Sequence, residues 1–377
     1  MNGVLAGPLM VVMMLLGSNP RAMGRLTAPR RQRLREHAPR VASIPVSARH
    51  DVAPVSTTSC SAPPAFPACA QLPNAKLTTM ASLPLALDAK VAFLRGLCGS
   101  GDEAIETHFA WLFLVGDRAW KLRKPLARDS MDYRSLDARR LGTHEEVRLN
   151  RRLAPSVYLA AVPLTAAPTG ELAIDGRGEI VEWLVCMRRL DRRHLLDERM
   201  LRGEDVTSSL PAVACLLADF YRAATPALRD GPGFVARLTR QVSANHAVLS
   251  AAGRPRADEL QRRQRAFIAR HADLLAARAT RGCVIEAHGD LRPEHVFLDD
   301  PPSIIDCLEF DRDLRLLDRA EELSFLELEC ARLGHESVGQ HFTRACLELL
   351  VDDAPPELLA FYRSHRGATR AKLYAWR

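Results

Sequence analysis

One stretch constrains this chain more than any other: Val284-Ile-Glu-Ala-His-Gly-Asp-Leu-Arg-Pro-Glu-His-Val-Phe-Leu298, followed closely by Ser303-Ile-Ile-Asp-Cys-Leu-Glu-Phe310. Three short apolar runs, Val284 to Ala287, His295 to Leu298 and Ser303 to Ile305, read as buried strands, and each ends beside a polar group. His288-Gly289-Asp290 puts a carboxylate on a tight turn directly after a strand. Gly289 lets the backbone bend there, so Asp290 is expected to face a cleft. Asp306 closes the next hairpin and is offered to the same cleft. Two carboxylates on neighbouring loops suit phosphoryl transfer: one orients and deprotonates an attacking hydroxyl, and the other holds the magnesium that neutralises the phosphates.

Upstream, Asp88 to Leu97 has helical apolar spacing. Phe109-Ala-Trp-Leu-Phe-Leu-Val115 and Arg118-Ala-Trp-Lys-Leu-Arg123 flank Gly116-Asp117 and read as a hairpin. On its second strand Lys121 and Arg123 share one face, Trp120 and Leu122 the other. Lys121 is then either a phosphate clamp or a solvated cation on an edge strand. Leu136 to Leu153 predicts a helix with Val147, Leu149 and Leu153 roughly inward, ended by Ala154-Pro155. Glu146 lies near its inner edge and could pair with Lys121; Glu145 is the rival, and either suits a surface charge.

Val157 to Leu164 and Ile180 to Met187 predict strands, and Arg188-Arg-Leu-Asp191 leaves the second. Helices are expected over roughly Val206 to Ala224, Gly233 to Ala251 and Asp258 to Thr280. Another begins after Asp318 as N-cap, and two more lie near Ser337 to Val351 and Pro356 to Tyr374. Strands first and helices later predict an α+β bilobal fold. The sheet lobe would cover residues 81–190 and the mainly helical lobe, with the site loops, residues 191–377.

The formal charge is +7 over 377 residues, and residues 1–80 hold eight Arg and Lys76 against Glu36 and Asp51, which is the whole excess. The rest is neutral, so basicity points to no nucleic-acid partner. The apolar run Val4 to Leu16 contains Gly7 and Pro8 and is too short to span a bilayer, so no membrane role is expected. From Ser18 to about Thr79 the chain is rich in Pro, Ala, Arg and Ser without a sustained period, which predicts a disordered arm over residues 1–80. Foldable sequence begins at Met80, which is expected to be the true start. Nine cysteines without a C-x-x-C pair, several inside apolar runs, fit a reducing compartment, and a cytoplasmic location is expected.

Together these pieces resemble the aminoglycoside phosphotransferase family of the protein-kinase-like superfamily, and more closely the branch in which such a domain is sometimes fused to a P-loop ATPase. The resemblance runs from about Leu83 to the C-terminus. It rests on Glu106-Thr-His-Phe-Ala-Trp111, Gly116-Asp-Arg-Ala-Trp-Lys-Leu-Arg-Lys-Pro125, Leu149-Asn-Arg-Arg-Leu-Ala-Pro155, His288-Gly-Asp-Leu-Arg-Pro-Glu-His295 and Ile305-Asp-Cys-Leu-Glu-Phe310. It implies a protein-kinase-like fold, ATP with magnesium or manganese as cofactors, and transfer to a small-molecule hydroxyl. Asp290 would be the catalytic base, Asp306 the principal metal ligand, Lys121 the clamp on the nucleotide phosphates and Glu146 its holder. His288 would brace the loop, the turn at Thr107 and His108 would cover the phosphates, Glu309 would reach the metal indirectly, and adenine would lie against Met187, Arg188 and Leu190. No P-loop follows, so any ATPase partner is expected as a separate chain.

The departure is His295, where the family usually has an asparagine that binds a second metal. Magnesium prefers hard oxygen ligands. Four outcomes stay open: one metal through Asp306, a preference for manganese with His295 as ligand, a nucleotide-binding pseudokinase with little turnover, or a histidine packed beneath the loop. A metal-dependent phosphoesterase using His288, Asp290, His295 and Asp306 competes as a third function, but leaves Lys121 and the hairpin unexplained. The final segment carries Arg363, Arg366, Arg370 and Lys372, which predicts an anionic or neutral acceptor rather than a polycationic antibiotic. Decoration of a terminal helix is the plainer reading of those cations.

Overall fold

The computed structural model describes residues 85–375 apart from 129 and 130. The arm expected at residues 1–80, its apolar run and the start at Met80 lie outside the described residues. Strand β1 (Glu103–Glu106) follows helix α1 (Leu87–Gly96), and β2 (Ala110–Val115) and β3 (Arg118–Arg123) form the expected hairpin. Gly116 turns it with φ near +55°, a conformation glycine enters without a Cβ clash. A short ladder of β4 (Ala127–Arg128) and β5 (Met131–Asp132) leads to helix α2 (Leu136–Asn150), then β6 (Tyr158–Ala166), β7 (Leu172–Ile174) and β8 (Glu179–Arg188). The sheet is antiparallel with order β1-β2-β3-β8-β6-β7.

Period-two alternation decides what each face of β3 does. Leu122, with Trp120 beside it, packs with Leu94 of α1, Phe113 and Leu184 into the lobe's core, which leaves Lys121 and Arg123 on the opposite face. Lys121 stands opposite Leu112 on β2 and Val185 on β8, so it sits in the middle of the sheet and not on an edge. Helix α2 is capped by Ser135, whose hydroxyl accepts from the Ala138 N–H at 3.1 Å, a cap of about 1 kcal/mol. Buried Glu182 on β8 binds Lys90 of α1 and Arg139 of α2, each at 2.8 Å, joining both helices to the sheet.

The rest is mainly helical: α3 (Leu196–Leu201), α4 (Leu210–Ala223), α5 (Gly231–Ala251), α6 (Ala257–Arg270), α7 (Ala272–Thr280), α8 (Arg319–Arg332), α9 (Glu336–Leu349) and α10 (Pro356–Ala375). Two small antiparallel ladders interrupt it, β9 (Val284–Glu286) with β12 (Leu316–Asp318) and β10 (Val296–Phe297) with β11 (Ser303–Ile304). Leu217, Ile285, Leu291, Leu323 and Phe342 belong to the core that joins these ladders to α4, α8 and α9. The architecture is therefore the expected α+β order, a sheet lobe followed by a mainly helical one.

Three details differ from the sequence expectation. The helix predicted over Asp258 to Thr280 breaks at His271, whose φ of −114° and ψ of 26° end α6 and start α7. The one predicted from Val206 opens as a 3-10 turn, and α4 starts at Leu210 with Pro211 in its first turn, where a missing N–H is harmless. Strands β1 and β7 and helix α3 are too short to leave a clear period. Asp318 is the N-cap of α8 as expected, accepting from the Ala320 N–H at 2.9 Å. No helix among the described residues is long and apolar enough to cross a membrane.

Candidate active site

The loop after β9 is built on Gly289. Its φ is near +89°, and a Cβ there would meet the Leu308 Cβ and the Arg315 Cγ at 3.1 Å, so only glycine fits. Its backbone is pinned by Glu322, which the sequence reading missed, and by Arg366, which that reading assigns to the acceptor side or to the surface of a terminal helix. Glu322 on α8 accepts from the N–H groups of His288 at 3.1 Å and Gly289 at 2.6 Å and from the Tyr221 hydroxyl at 2.8 Å. Arg366 on α10 donates to the Gly289 carbonyl at 3.0 Å. Burial raises the Glu322 pKa against the pull of these donors. A carboxylate within the helix after Asp318 carries no motif of its own; only its apolar neighbours Leu323, Phe325 and Leu326 hint that its turn is buried.

Both motif histidines are satisfied as neutral rings. His288 donates from Nε2 to the Ile305 carbonyl at 2.8 Å and accepts at Nδ1 from the Asp290 N–H at 3.3 Å. His295 donates from Nδ1 to the Asp290 carbonyl at 2.8 Å and accepts at Nε2 from Arg292 at 3.1 Å. Burial pushes His288 down to about 3 and His295 well below the usual histidine range. Neither ring keeps a nitrogen for a metal in this arrangement.

Asp306 adopts a left-handed backbone with φ near +63°, uncommon outside glycine and recurrent where a loop aims a functional side chain. Its N–H donates to the Tyr158 hydroxyl at 3.2 Å. The next N–H, of Cys307, donates to Asn150 Oδ1 at 2.8 Å, and Asn150 Nδ2 donates to the Glu146 carbonyl at 2.9 Å. The end of α2 therefore fixes the Asp306 loop. Glu146 itself accepts from Lys121 Nζ at 2.7 Å, and that ammonium lies 3.9 Å from Asp306 Oδ1. Glu145 points elsewhere, to Arg148 at 2.7 Å and Arg315 at 3.4 Å. Arg123 binds Glu146 and Glu309, the latter at 2.8 Å, so Glu309 is tied to the sheet lobe.

The predicted residues line two adjoining cavities. Lys121, Glu146, Met187, Arg188, Leu190, His295 and Asp306 line one of about 170 Å³, between apolar walls that include Leu112, Val157, Phe297 and Ile305. Asp290 joins Lys121 and Asp306 on the other, with Arg123, Tyr133, Glu309 and Phe310. His288 lies beneath the loop and lines neither. The turn at Thr107 closes on itself, its N–H donating to the Ala110 carbonyl at 2.8 Å.

Electrostatics single out the two acids. Burial pushes Asp306 up to about 7, opposed by Lys121 and reinforced by Glu146, Glu309 and Asp290. Burial also raises Asp290, opposed by Arg292, Arg370 and Arg366. Burial works against the charge of Lys121, but Glu146, Asp306 and Glu309 outweigh it and hold the ammonium protonated. Asp306 Oδ2 and Asp290 Oδ1 are buried without a hydrogen-bond partner among the described residues. Such oxygens suit a hard cation and a hydroxyl proton. No group of three or more His, Cys, Asp or Glu side chains among the described residues converges to hold a metal alone. The occupied ring nitrogens of His288 and His295 weigh against the four-residue phosphoesterase set.

No family model matches the chain. It is similar to uncharacterized proteins of Mycobacterium tuberculosis and Mycobacterium bovis, 33% identical over 279 residues that make up 71% of this chain and 53% of theirs. The chain thus spans about half the length of the curated relatives it matches. Distant similarity extends to solved structures, among them the following three. An aminoglycoside phosphotransferase of Streptomyces rimosus in complex with ADP and streptomycin is 16% identical with a TM-score of 0.45, over 75% of this chain and 98% of that one. A glucosamine kinase is 19% identical with a TM-score of 0.41, over 76% and 78%. A choline/ethanolamine kinase family protein of Mesorhizobium loti is 13% identical with a TM-score of 0.41, over 76% and 84%. At these scores the likenesses are distant, and the roles of individual residues rest on the side chains described above.

Proposed function

We propose that this chain is an ATP-dependent phosphotransferase acting on the hydroxyl of a small molecule. One observation carries the reading. A cation from the early hairpin, Lys121, lies 3.9 Å from the late-loop acid Asp306, on a cavity that also takes Asp290. Residues separated by more than 150 positions have no structural need to share a cavity with two partnerless buried carboxylate oxygens.

In this reading adenine lies between the apolar walls beside Met187, Arg188 and Leu190. Lys121, held straight by Glu146, contacts the phosphates as a charged donor. Asp306 holds magnesium, which when bound neutralises phosphate charge. Asp290 orients the acceptor hydroxyl at Oδ1 and takes its proton as the oxygen attacks. Its raised pKa makes it a better base than an exposed aspartate. His288 keeps the loop in register through the Ile305 carbonyl.

Arg292, Arg370 and Arg366 all act on Asp290, and Arg363 is tied to Glu327 at 2.7 Å. Each of these cations is paired with an acid of the chain's own, Arg292 with Asp290 and Glu294, Arg366 with Glu321 and Arg370 with Glu329, so an anionic or neutral acceptor rests on the sequence expectation. The test is a nucleotide-consumption screen over small hydroxylated metabolites with magnesium and with manganese. Asp290-dependent consumption with one acceptor class is the expected result. Nucleotide-dependent thermal stabilisation without transfer to any acceptor would instead establish a binding module. A large rise in aminoglycoside tolerance, lost in Asp290→Ala, would overturn the acceptor class.

A further inference from the structure

Beside the cleft the carboxylates of Asp290 and Glu294 and the ring of His295 surround a cation of the chain's own. The guanidinium of Arg292 is fully buried. Its Nε lies 3.2 Å from Asp290 Oδ2, one terminal nitrogen lies 3.2 Å from Glu294 Oε1, and the other donates to His295 Nε2 at 3.1 Å. His295 Nε2 stands 3.9 Å from Asp306 Oδ2, so the ring separates the guanidinium from the acid that faces Lys121.

We propose that Arg292 replaces a second divalent ion, so that nucleotide is held with a single metal through Asp306. The inference rests on the phosphotransferase reading. The guanidinium stands within 3.1–3.2 Å of one oxygen of each carboxylate and of the free ring nitrogen, so an added ion at this place would displace it. A divalent ion pressed against a buried guanidinium would also face strong like-charge repulsion at low local dielectric. Unlike an exchangeable ion, the arginine is present before nucleotide arrives. It needs no free metal concentration to sustain it, and its planar fork fixes Asp290 against His295. His295 is then the acceptor that orients the guanidinium, in place of a metal ligand.

The test counts manganese by electron paramagnetic resonance on the full chain, with a non-hydrolysable ATP analogue at saturation. One nucleotide-dependent ion per chain is expected for the unaltered protein and for His295→Asn. The double variant Arg292→Ser with His295→Asn, which empties the guanidinium's place and restores an oxygen ligand, is expected to bind two. Two ions on the unaltered protein overturn the inference and leave the phosphotransferase reading standing. A folded double variant that still binds one overturns the claim that the guanidinium excludes the second. No nucleotide-dependent uptake overturns both readings. The count on the unaltered protein decides the matter if the double variant does not fold.

Discussion

Two buried cation–carboxylate pairs face the same cleft from opposite lobes, and they are built differently. Lys121 and Glu146 come from a strand and a helix, 25 residues apart, and meet at 2.7 Å because β3 and α2 pack together. Arg292 and Asp290 come from one loop, two residues apart, and meet at 3.2 Å. The first pair reaches toward the open cavity, with Asp306 at 3.9 Å as its next neighbour. The second is enclosed by Glu294, His295 and, behind the loop, Glu322 and Arg366. The sheet-lobe pair is poised to meet a ligand, whereas the helical-lobe pair sits in a buried charge network that holds the base and leaves its Oδ1 without a partner among the described residues. This contrast assigns binding effects to one side and chemistry and stability effects to the other.

The sharpest way to break the comparison is at Asp290. Asp290→Asn is expected to lower phosphate transfer by about 10²–10⁴-fold while nucleotide affinity stays within a few-fold, measured by single-turnover kinetics beside calorimetry. Preserved turnover would remove Asp290 as the base. On the same side, Glu322→Ala strips two backbone N–H groups of their acceptor and should cost about 2–4 kcal/mol in denaturant unfolding, with Tyr221→Phe costing about 1 kcal/mol. Equal, small effects of both would mean that the loop does not lean on Glu322.

On the sheet side, Lys121→Met should weaken nucleotide binding by about 10–100-fold, the worth of one charge-assisted hydrogen bond. Glu146→Gln should follow it in direction and Glu145→Gln should not, because Glu145 is bound to Arg148 and Arg315. A larger loss from Glu145→Gln would reverse the assignment.

The smallest effect is a pH dependence beside the enclosed network. Burial and the neighbouring Glu294 push Asp197 up to about 7. Because its folded value is raised, the folded state holds the extra proton between the ordinary carboxylate range and 7, and stability falls as pH rises through that window. Asp197→Asn should therefore gain stability over the unaltered chain as pH rises from 4 to 8, by roughly 2–4 °C in Tm for each 1 kcal/mol recovered. A constant offset across that range would mean that Asp197 titrates normally.

The parts of the site that are local in the chain could be read without coordinates. The turn at Gly289, the alternation that separates Lys121 and Arg123 from Trp120 and Leu122, and the cap at Asp318 each follow from residues within a few positions of one another. Backbone sterics and strand period act over that range. Short elements such as β1, β7 and α3 escaped because a few residues cannot establish a period.

What the sequence determined by itself was the list of chemically competent groups and the α+β order that carries them. Only the tertiary structure decided between Glu145 and Glu146, moved Lys121 from a possible edge to the sheet's centre, and brought Glu322 and Arg366 behind the loop. It also gave both His295 nitrogens to Asp290 and Arg292. Those choices depend on which neighbours satisfy a buried charge, and desolvation makes an unmet partner costly. That balance is struck among residues distant in sequence, so it becomes legible only once the chain has packed.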